Sequence, residues 1–470
     1  MSTKRRDFLK LTGLTGLGLM GSSLIGCGTL NAASKAIGSA RQPSKQHFNM
    51  SGYAAPEIDT VRVGVIGLGS RGPGAVNRLS RIDGVEIKGL GDLLPENVEA
   101  VKKRLSSSNH NPTSYSGSED AWKELCDRDD IDLIYICTPW HLHTPMAVYA
   151  MEAGKHVAVE VPAAVTVDEC WQLVETSEKT KKHCMMLENC CYDFFELLTL
   201  NMARQGYFGE IIHAEGAYIH DLLDLNFSKT GYQDMWRLKE NYRNGNLYPT
   251  HGLGPVCQIM NINRGDKMDY LTSMASNDFH MAARAEELAA KDDFYKEFAG
   301  KEYRGNMNTT SVRTSKGRTI MIQHDVTSPR PYSRIHLVSG TKAFARKYPE
   351  PARIAKGHEW LSPEEFKKLE AEYTPEIVKK VGDMAKKIGG HGGMDFMMDW
   401  RLIDCLRNGL PLDQDVYDAA SWSVIAPLSE WSVANRSNSI DIPDFTAGSW
   451  KTNTPVNLTL EGGGTTGVSA

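Results

Sequence analysis

Val61-Arg62-Val63-Gly64-Val65-Ile66-Gly67-Leu68-Gly69-Ser70-Arg71-Gly72 is the stretch that decides the fold. Residues 61–68 read as a strand buried on both faces, and the strand runs directly into a GxGxxG turn with a helix over 74–81. In that arrangement the first glycine permits the tight turn, the second lets a phosphate reach the backbone, and the third lets the helix pack closely. Unpaired N–H groups and the positive end of the helix then make an anion site. A second strand, 85–90, ends near Asp92, about twenty residues past the last glycine, where a carboxylate would accept from both ribose hydroxyls and repel a 2′-phosphate. The expected ligand is therefore NAD, held by Gly67, Gly69, Ser70, Arg71, Gly72 and Asp92.

Outward from this unit the βα pattern repeats. Residues 131–138 form a strand ending in Pro139-Trp140-His141-Leu142-His143, a helix follows over 144–153, and strand 156–160 enters Val161-Pro162. Ligands of open α/β sheets lie off the carboxyl ends of strands, so the loop with Trp140, His141 and His143 should border the cofactor. Glu160 and Val161 are also expected there, and Asn189 is expected to face the nicotinamide, an ordinary turn asparagine being the alternative. Past residue 187 the texture changes to alternating runs at 211–220, 270–276, 309–314, 318–325 and 333–339, which predict a mainly antiparallel sheet. Charged helical segments at 286–298 and 363–387 and a helix over 394–407 complete an α+β domain. The fold class is α/β, with a dinucleotide-binding Rossmann domain over 61–187 and an α+β substrate-binding domain over 188–460.

The glycine loop, Thr138-Pro139 with His143, and the tripeptide Glu160-Val161-Pro162 make the chain resemble the Gfo/Idh/MocA family of two-domain sugar oxidoreductases. Dehydrogenases of that family carry a lysine between the glutamate and the proline, where it assists proton movement from the hydroxyl being oxidised. Here that position is Val161, which offers neither a donor nor an acid–base function. With Glu188-Asn189-Cys190-Cys191-Tyr192, Tyr248-Pro249-Thr250-His251-Gly252 and Ser328-Pro329-Arg330-Pro331-Tyr332, the chain resembles the NAD-dependent exo-glycosidases of glycoside hydrolase family 109. That resemblance implies terminal α-N-acetylgalactosamine as substrate. It also implies transient oxidation at C3, loss of the acidified C2 proton, elimination of the aglycone, water addition and return of the hydride. NAD-dependent glycosidases need no carboxylate pair, so the lack of an obvious one is no objection.

His251 lies in a loop bounded by proline and glycine, and histidine moves protons near neutral pH. With Tyr248 it forms the expected proton-transfer set, the alternatives being a solvent-exposed or helix-capping histidine and a packed aromatic. Tyr218, Arg237 and Tyr332 are expected sugar contacts, since sugars need polar donors beside aromatic faces; a packing role stays open for each. His391, in Gly389-Gly390-His391-Gly392-Gly393, is read either as approaching the site or as a local hinge.

The N-terminal 30 residues read as an address. Arg5-Arg6 with Phe8, Leu9 and Lys10 resemble a twin-arginine export signal, and Leu24-Ile25-Gly26-Cys27 resembles a lipobox. A lipid anchor on Cys27 and a simple cleaved signal both stay open, and the expected location is the periplasm or the membrane-anchored face of a bacterial envelope. Residues 31–60 read as a linker and 461–470 as a flexible tail. A net charge of −5 gives no basic excess for nucleic acid. Nine cysteines without a CxxC pair supply neither a metal ligand set nor a disulfide framework. The expected partners are N-acetylgalactosaminyl glycans, and the sequence leaves the oligomeric state, homo-oligomer included, open. The rival readings are an exported NAD(P)-linked sugar oxidoreductase and a non-catalytic binding lipoprotein.

Overall fold

The computed structural model describes residues 45–469. The export signal with Arg5 and Arg6, Cys27, and the first part of the linker lie outside the described residues. The N-terminal domain is a six-stranded sheet: β1 Val61–Ile66, β2 Val85–Gly91, β3 Thr113–Tyr115, β4 Leu133–Ile136, β5 His156–Val159 and β6 Cys184–Met186. Every pairing is parallel and the order is β3-β2-β1-β4-β5-β6. β4, β5 and β6 are buried at every position, because helices cover both faces of the sheet and leave no solvent side to alternate with. Strand order reverses between β1 and β4, and the crevice at their carboxyl ends is where such folds bind nucleotides.

The second sheet has nine strands: β7 Ile211–Ile219, β8 Met268–Ala275, β9 Asn308–Thr314, β10 Thr319–Asp325, β11 Leu337–Gly340, β12 Phe344–Arg346, β13 Arg353–Lys356, β14 Glu359–Trp360 and β15 Ile440–Asp441. Its order is β14-β13-β12-β11-β7-β10-β9-β8-β15, antiparallel throughout except for β7 with β10. In β9 and β10 buried and more exposed residues alternate, as a sheet covered on one face requires. No helix among the described residues is long and apolar enough to cross a membrane.

Several local expectations change. Trp140 and His143 lie in the first turn of helix Trp140–Glu152, not in a loop before it, and His251 lies in the first turn of helix Thr250–Ile259. The charged run 363–387 is two helices, Pro363–Tyr373 and Glu376–Ile388, broken where Pro375 cannot continue the first. Residues 46–53 of the linker are docked, not free: Met50 is buried, the His47 amide donates to Glu178 at 2.7 Å, and Phe48 packs edge-on against Tyr53. The expected flexible tail is docked as well. Asp404 accepts from the Gly464 amide at 2.7 Å, and Val468 bridges to Ile82. In both segments scattered single apolar residues, too few to show a period, do the anchoring.

Candidate active site

The glycine turn is fixed by close contacts that differ at each position. Gly67 has φ +90° and a Cβ there would lie 2.6 Å from the Cys137 carbonyl carbon, while a Cβ on Gly72 would lie 1.9 Å from the Gly67 oxygen. Both demand glycine for the protein's own packing. A Cβ on Gly69 would meet nothing nearer than the Asn97 amide at 4.0 Å, so this glycine borders an open cradle at the start of helix Gly72–Leu79. That is the space a pyrophosphate needs. Asp92, at the end of β2, accepts from the Leu68 amide at 2.6 Å, the Leu94 amide at 2.9 Å and the Asn97 side chain at 3.0 Å. A carboxylate has about four acceptor directions, so three protein donors leave about one for a ribose hydroxyl. The carboxylate so held keeps acceptor capacity toward the ribose and sets its charge against a 2′-phosphate.

The other expected cofactor residues divide. Ser70 and His141 are exposed at the mouth. Arg71 pairs with Glu160 at 2.9 Å and with Asp395 at 3.3 Å, and Asn189 donates its side-chain amide to Asp395. Burial alone would drive Asp395 up, but His391, Arg71 and Arg78 together hold it far below the ordinary carboxylate range. His143 is buried, with its ring nitrogens each 2.7 Å from a backbone oxygen, those of Pro162 and Thr138, so the ring lies between two strand ends. Val161 is buried in the core, and Trp140 faces the other domain.

Across the crevice the C-terminal domain supplies an acid–base cluster. His251 Nδ1 lies 2.7 Å and 3.0 Å from the two oxygens of Glu188, whose side chain is fully buried while the imidazole is 14% exposed. Two glycines beside His251 make this approach feasible. A Cβ on Gly252 would lie 2.2 Å from the Ala217 amide of β7, and one on Gly254 would lie 2.9 Å from Glu188 Cγ. Burial works to raise the Glu188 carboxyl, yet the adjacent imidazole, with hydrogen bonds from Thr250 and the Cys190 amide, makes the net displacement downward. With Nδ1 engaged, Nε2 is the nitrogen left for proton transfer. The thiol of Cys190 lies close enough that Glu188, Cys190 and His251 have the spacing of a metal ligand set. The Glu188–His251 hydrogen bond accounts for two of those three by itself, and the third is a thiol that burial pushes well up.

Tyr218, Tyr248 and Tyr332 come together around this histidine. Tyr248 lies 4.8 Å and Tyr218 5.3 Å from the His251 ring, with Tyr332 6.2 Å from Tyr218, all measured between ring centroids. Tyr248 also stacks on Trp140 at 5.5 Å, which joins the two domains over the crevice. Arg237 lies over the rings of Trp140, Tyr232 and Tyr248 at 5.3–5.4 Å and donates to the Tyr232 hydroxyl at 3.0 Å. No carboxylate among the described residues pairs with it, and its charge is set against phenols instead. Burial raises the Tyr218 and Tyr248 hydroxyls, and Arg237 pulls both back. Two more residues join the ensemble, His220 with Nδ1 3.0 Å from the Tyr218 hydroxyl and Trp236 edge-on to Trp140 at 5.4 Å; with Glu188, Tyr232 and Asp395 they were not singled out from sequence. The signal for Glu188 was its place just beyond β6, matching Asp92 beyond β2 and Glu160 beyond β5.

Residues 192–452 match the sequence model described as "Glycosyl hydrolase 109, C-terminal domain", which is more than half of the chain. The chain belongs to glycosyl hydrolase family 109. Residues 61–188 match "Oxidoreductase family, NAD-binding Rossmann fold", and NAD is accordingly the cofactor of this family 109 chain. A Bacteroides fragilis protein named "Alpha-N-acetylgalactosaminidase" is 52% identical, the match covering 87% of this chain and 97% of that protein. A "Glycosyl hydrolase family 109 protein" of Shewanella pealeana is 47% identical over 97% of this chain and 99% of its own length. Among solved structures, levoglucosan dehydrogenase in complex with NADH and levoglucosan aligns with a TM-score of 0.61 at 17% identity, covering 82% of this chain and all of that one, and shares the two-domain fold.

Proposed function

We propose that this family 109 chain is an exported exo-glycosidase that removes terminal α-linked N-acetylgalactosamine with NAD restored in each turnover. The observation that carries the reading is the combination at the crevice. A dinucleotide cradle faces the Glu188–His251 pair and the tyrosine cluster, while the position between Glu160 and Pro162 holds a buried valine where related dehydrogenases need a lysine. The 52% identity to a protein named for this activity supports the sugar.

Gly67, Gly69, Arg71, Asp92 and Glu160 would hold the cofactor, which when bound supplies a hydride acceptor for the sugar carbon and gives the hydride back. The chain's own residues have the proton work. His251, with Glu188 holding Nδ1, can accept at Nε2 and return a proton there. Arg237 lowers the cost of a phenolate at Tyr218 or Tyr248, so a tyrosine can serve as the second acid–base group. The aromatic walls of Trp140, Trp236 and Tyr248 exclude water and give the sugar an apolar face. A resident, recycled cofactor suits a protein working outside the cytoplasm, which is how the twin-arginine pattern and the Cys27 lipobox enter the proposal, the latter as an anchor at the envelope.

The test is incubation of purified protein with para-nitrophenyl α-N-acetylgalactosaminide while nitrophenol and NADH absorbance are followed. Nitrophenol release without net NADH is expected. NADH formation from free sugars without any nitrophenol release, NAD+ being supplied, would instead establish the oxidoreductase.

A further inference from the structure

We infer that His220 is a positioning residue for the proton chemistry of this site, taking up the hydroxyl proton of Tyr218 while that phenol oxygen works on the sugar. The inference rests on the proposed glycosidase reading and deepens it, by giving Tyr218 and Tyr248 different tasks.

Tyr218 and His220 stand two residues apart at the end of β7, so their side chains leave the extended chain on the same side. The Tyr218 hydroxyl oxygen lies 3.0 Å from His220 Nδ1, with the two rings nearly perpendicular and 5.7 Å apart. Arg237 also hydrogen-bonds this phenol, and a guanidinium offers donors only. The hydrogen of the hydroxyl itself therefore goes to His220 Nδ1, and the neutral imidazole carries its own hydrogen on Nε2. Tyr248 is placed differently: it meets His251 ring to ring, at 84°, and stacks on Trp140.

His220 is held where this role requires. Its amide donates to the Asp325 carbonyl at 2.9 Å, at the end of β10, and the Tyr332 ring stands at 83° to the imidazole, 5.0 Å away. Partial burial works against an imidazolium, as do the neighbouring Arg237, His251 and His391, with Asp221 working the other way, so the resting ring is neutral and able to accept.

The transfers balance. When Tyr218 Oη takes the C2 proton of the 3-keto sugar, its hydroxyl proton passes to His220 Nδ1, the C2–H electron pair becomes the C1–C2 double bond, and the C1–O pair departs on the aglycone oxygen. Water then gives its hydroxyl to C1 and its remaining proton to the departed oxygen. Tyr218 returns a proton to C2 and regains its own from His220, so both residues end as they began. His251, held by Glu188, keeps the separate task of the C3 hydroxyl proton.

The full chain with NAD+ bound is mixed with para-nitrophenyl α-N-acetylgalactosaminide or the same glycoside deuterated at C2, and bound NADH and nitrophenol are followed in a single turnover beside melting temperature. His220→Asn and His220→Phe are expected to lose about 100-fold in nitrophenol release while the first formation of NADH stays within twofold of wild type. Bound NADH then accumulates, and the isotope effect on release grows. The asparagine oxygen can accept the phenol hydrogen bond but cannot take the proton, so its failure to rescue separates proton uptake from orientation; should the phenylalanine variant fold poorly, asparagine carries the test. Wild-type release by His220→Asn, or NADH formation and release slowed together with an unchanged isotope effect, overturns the assignment. Wild-type protein that releases no nitrophenol overturns the glycosidase reading beneath it instead.

Discussion

Replacing Glu188 by glutamine keeps the shape of the acid–base pair and removes its charge. The carboxylate oxygens lie 2.7 Å and 3.0 Å from His251 Nδ1, and the Cys190 amide donates to the same group at 3.1 Å. A glutamine oxygen can still accept from Nδ1, so the ring keeps its orientation and the fold keeps its packing. What disappears is attraction between the carboxylate and the imidazolium formed during proton transfer. For charge centres about 4 Å apart at an effective dielectric of about 20, that attraction is about 4 kcal/mol. The retained amide dipole offsets part of this, leaving about 2–3 kcal/mol, or about 30- to 160-fold in kcat. Glu188 is fully buried and cannot touch the sugar, so KM should hold. The assay is steady-state nitrophenol release from para-nitrophenyl α-N-acetylgalactosaminide, with melting temperature and NADH release as controls. A folded variant with kcat within threefold of wild type would refute the dyad, and a loss confined to KM would mean that Glu188 shapes binding instead.

Gly69→Ala and Gly72→Ala should part company: the Gly69 methyl group has open space and should leave apo melting unchanged while weakening NAD binding, measured by titration calorimetry. The Gly72 methyl group meets the Gly67 oxygen at 1.9 Å and should cost several degrees of melting temperature before any ligand is added. Arg237→Met should lower kcat by about 10- to 100-fold, the range of an acid–base contribution, because the phenols lose their cation, with NADH release unchanged; equal losses in both readouts would count against it. His183 is buried and, chiefly through desolvation, lowered to about 4 from an unfolded value of 6.5. The unfolded chain takes its proton first, so the stability His183 contributes is complete above pH 6.5 and is lost as pH falls towards 4. The loss grows at about 1.4 kcal/mol per pH unit. His183→Phe should flatten the fall in melting temperature between those values, and an unchanged slope would assign the acid sensitivity elsewhere.

The Rossmann half was legible because its signals are local. A strand buried on both faces, a turn only glycine can make and an acid beyond the second strand lie within about thirty residues of sequence, and Gly67 and Gly72 are dictated by contacts inside that unit. His251 and Tyr248 were legible as a pair three residues apart, on adjoining turns of chain. Glu188 was harder because its meaning is a contact with His251, sixty-three residues away. Asp395 was harder still, since nothing in its own helix distinguishes it until the second domain folds back on the glycine loop. For His143 too the sequence gives only a place at a strand's carboxyl end, and the fold adds that its ring is set between the Pro162 and Thr138 oxygens.

On the proposed mechanism, one scaffold would pass from oxidation to hydrolysis with little change to its cofactor site. A dehydrogenase needs a proton acceptor on the nucleotide domain, beside the hydroxyl it oxidises, and then needs to let the reduced cofactor go. Here Val161 is buried in the core, and the proposed proton groups His251, Tyr218 and Tyr248 all come from the second domain. From there they can serve a carbon-bound proton and a departing oxygen as well as a hydroxyl. Under that mechanism a cofactor that ends each turnover in its starting state would gain nothing by leaving.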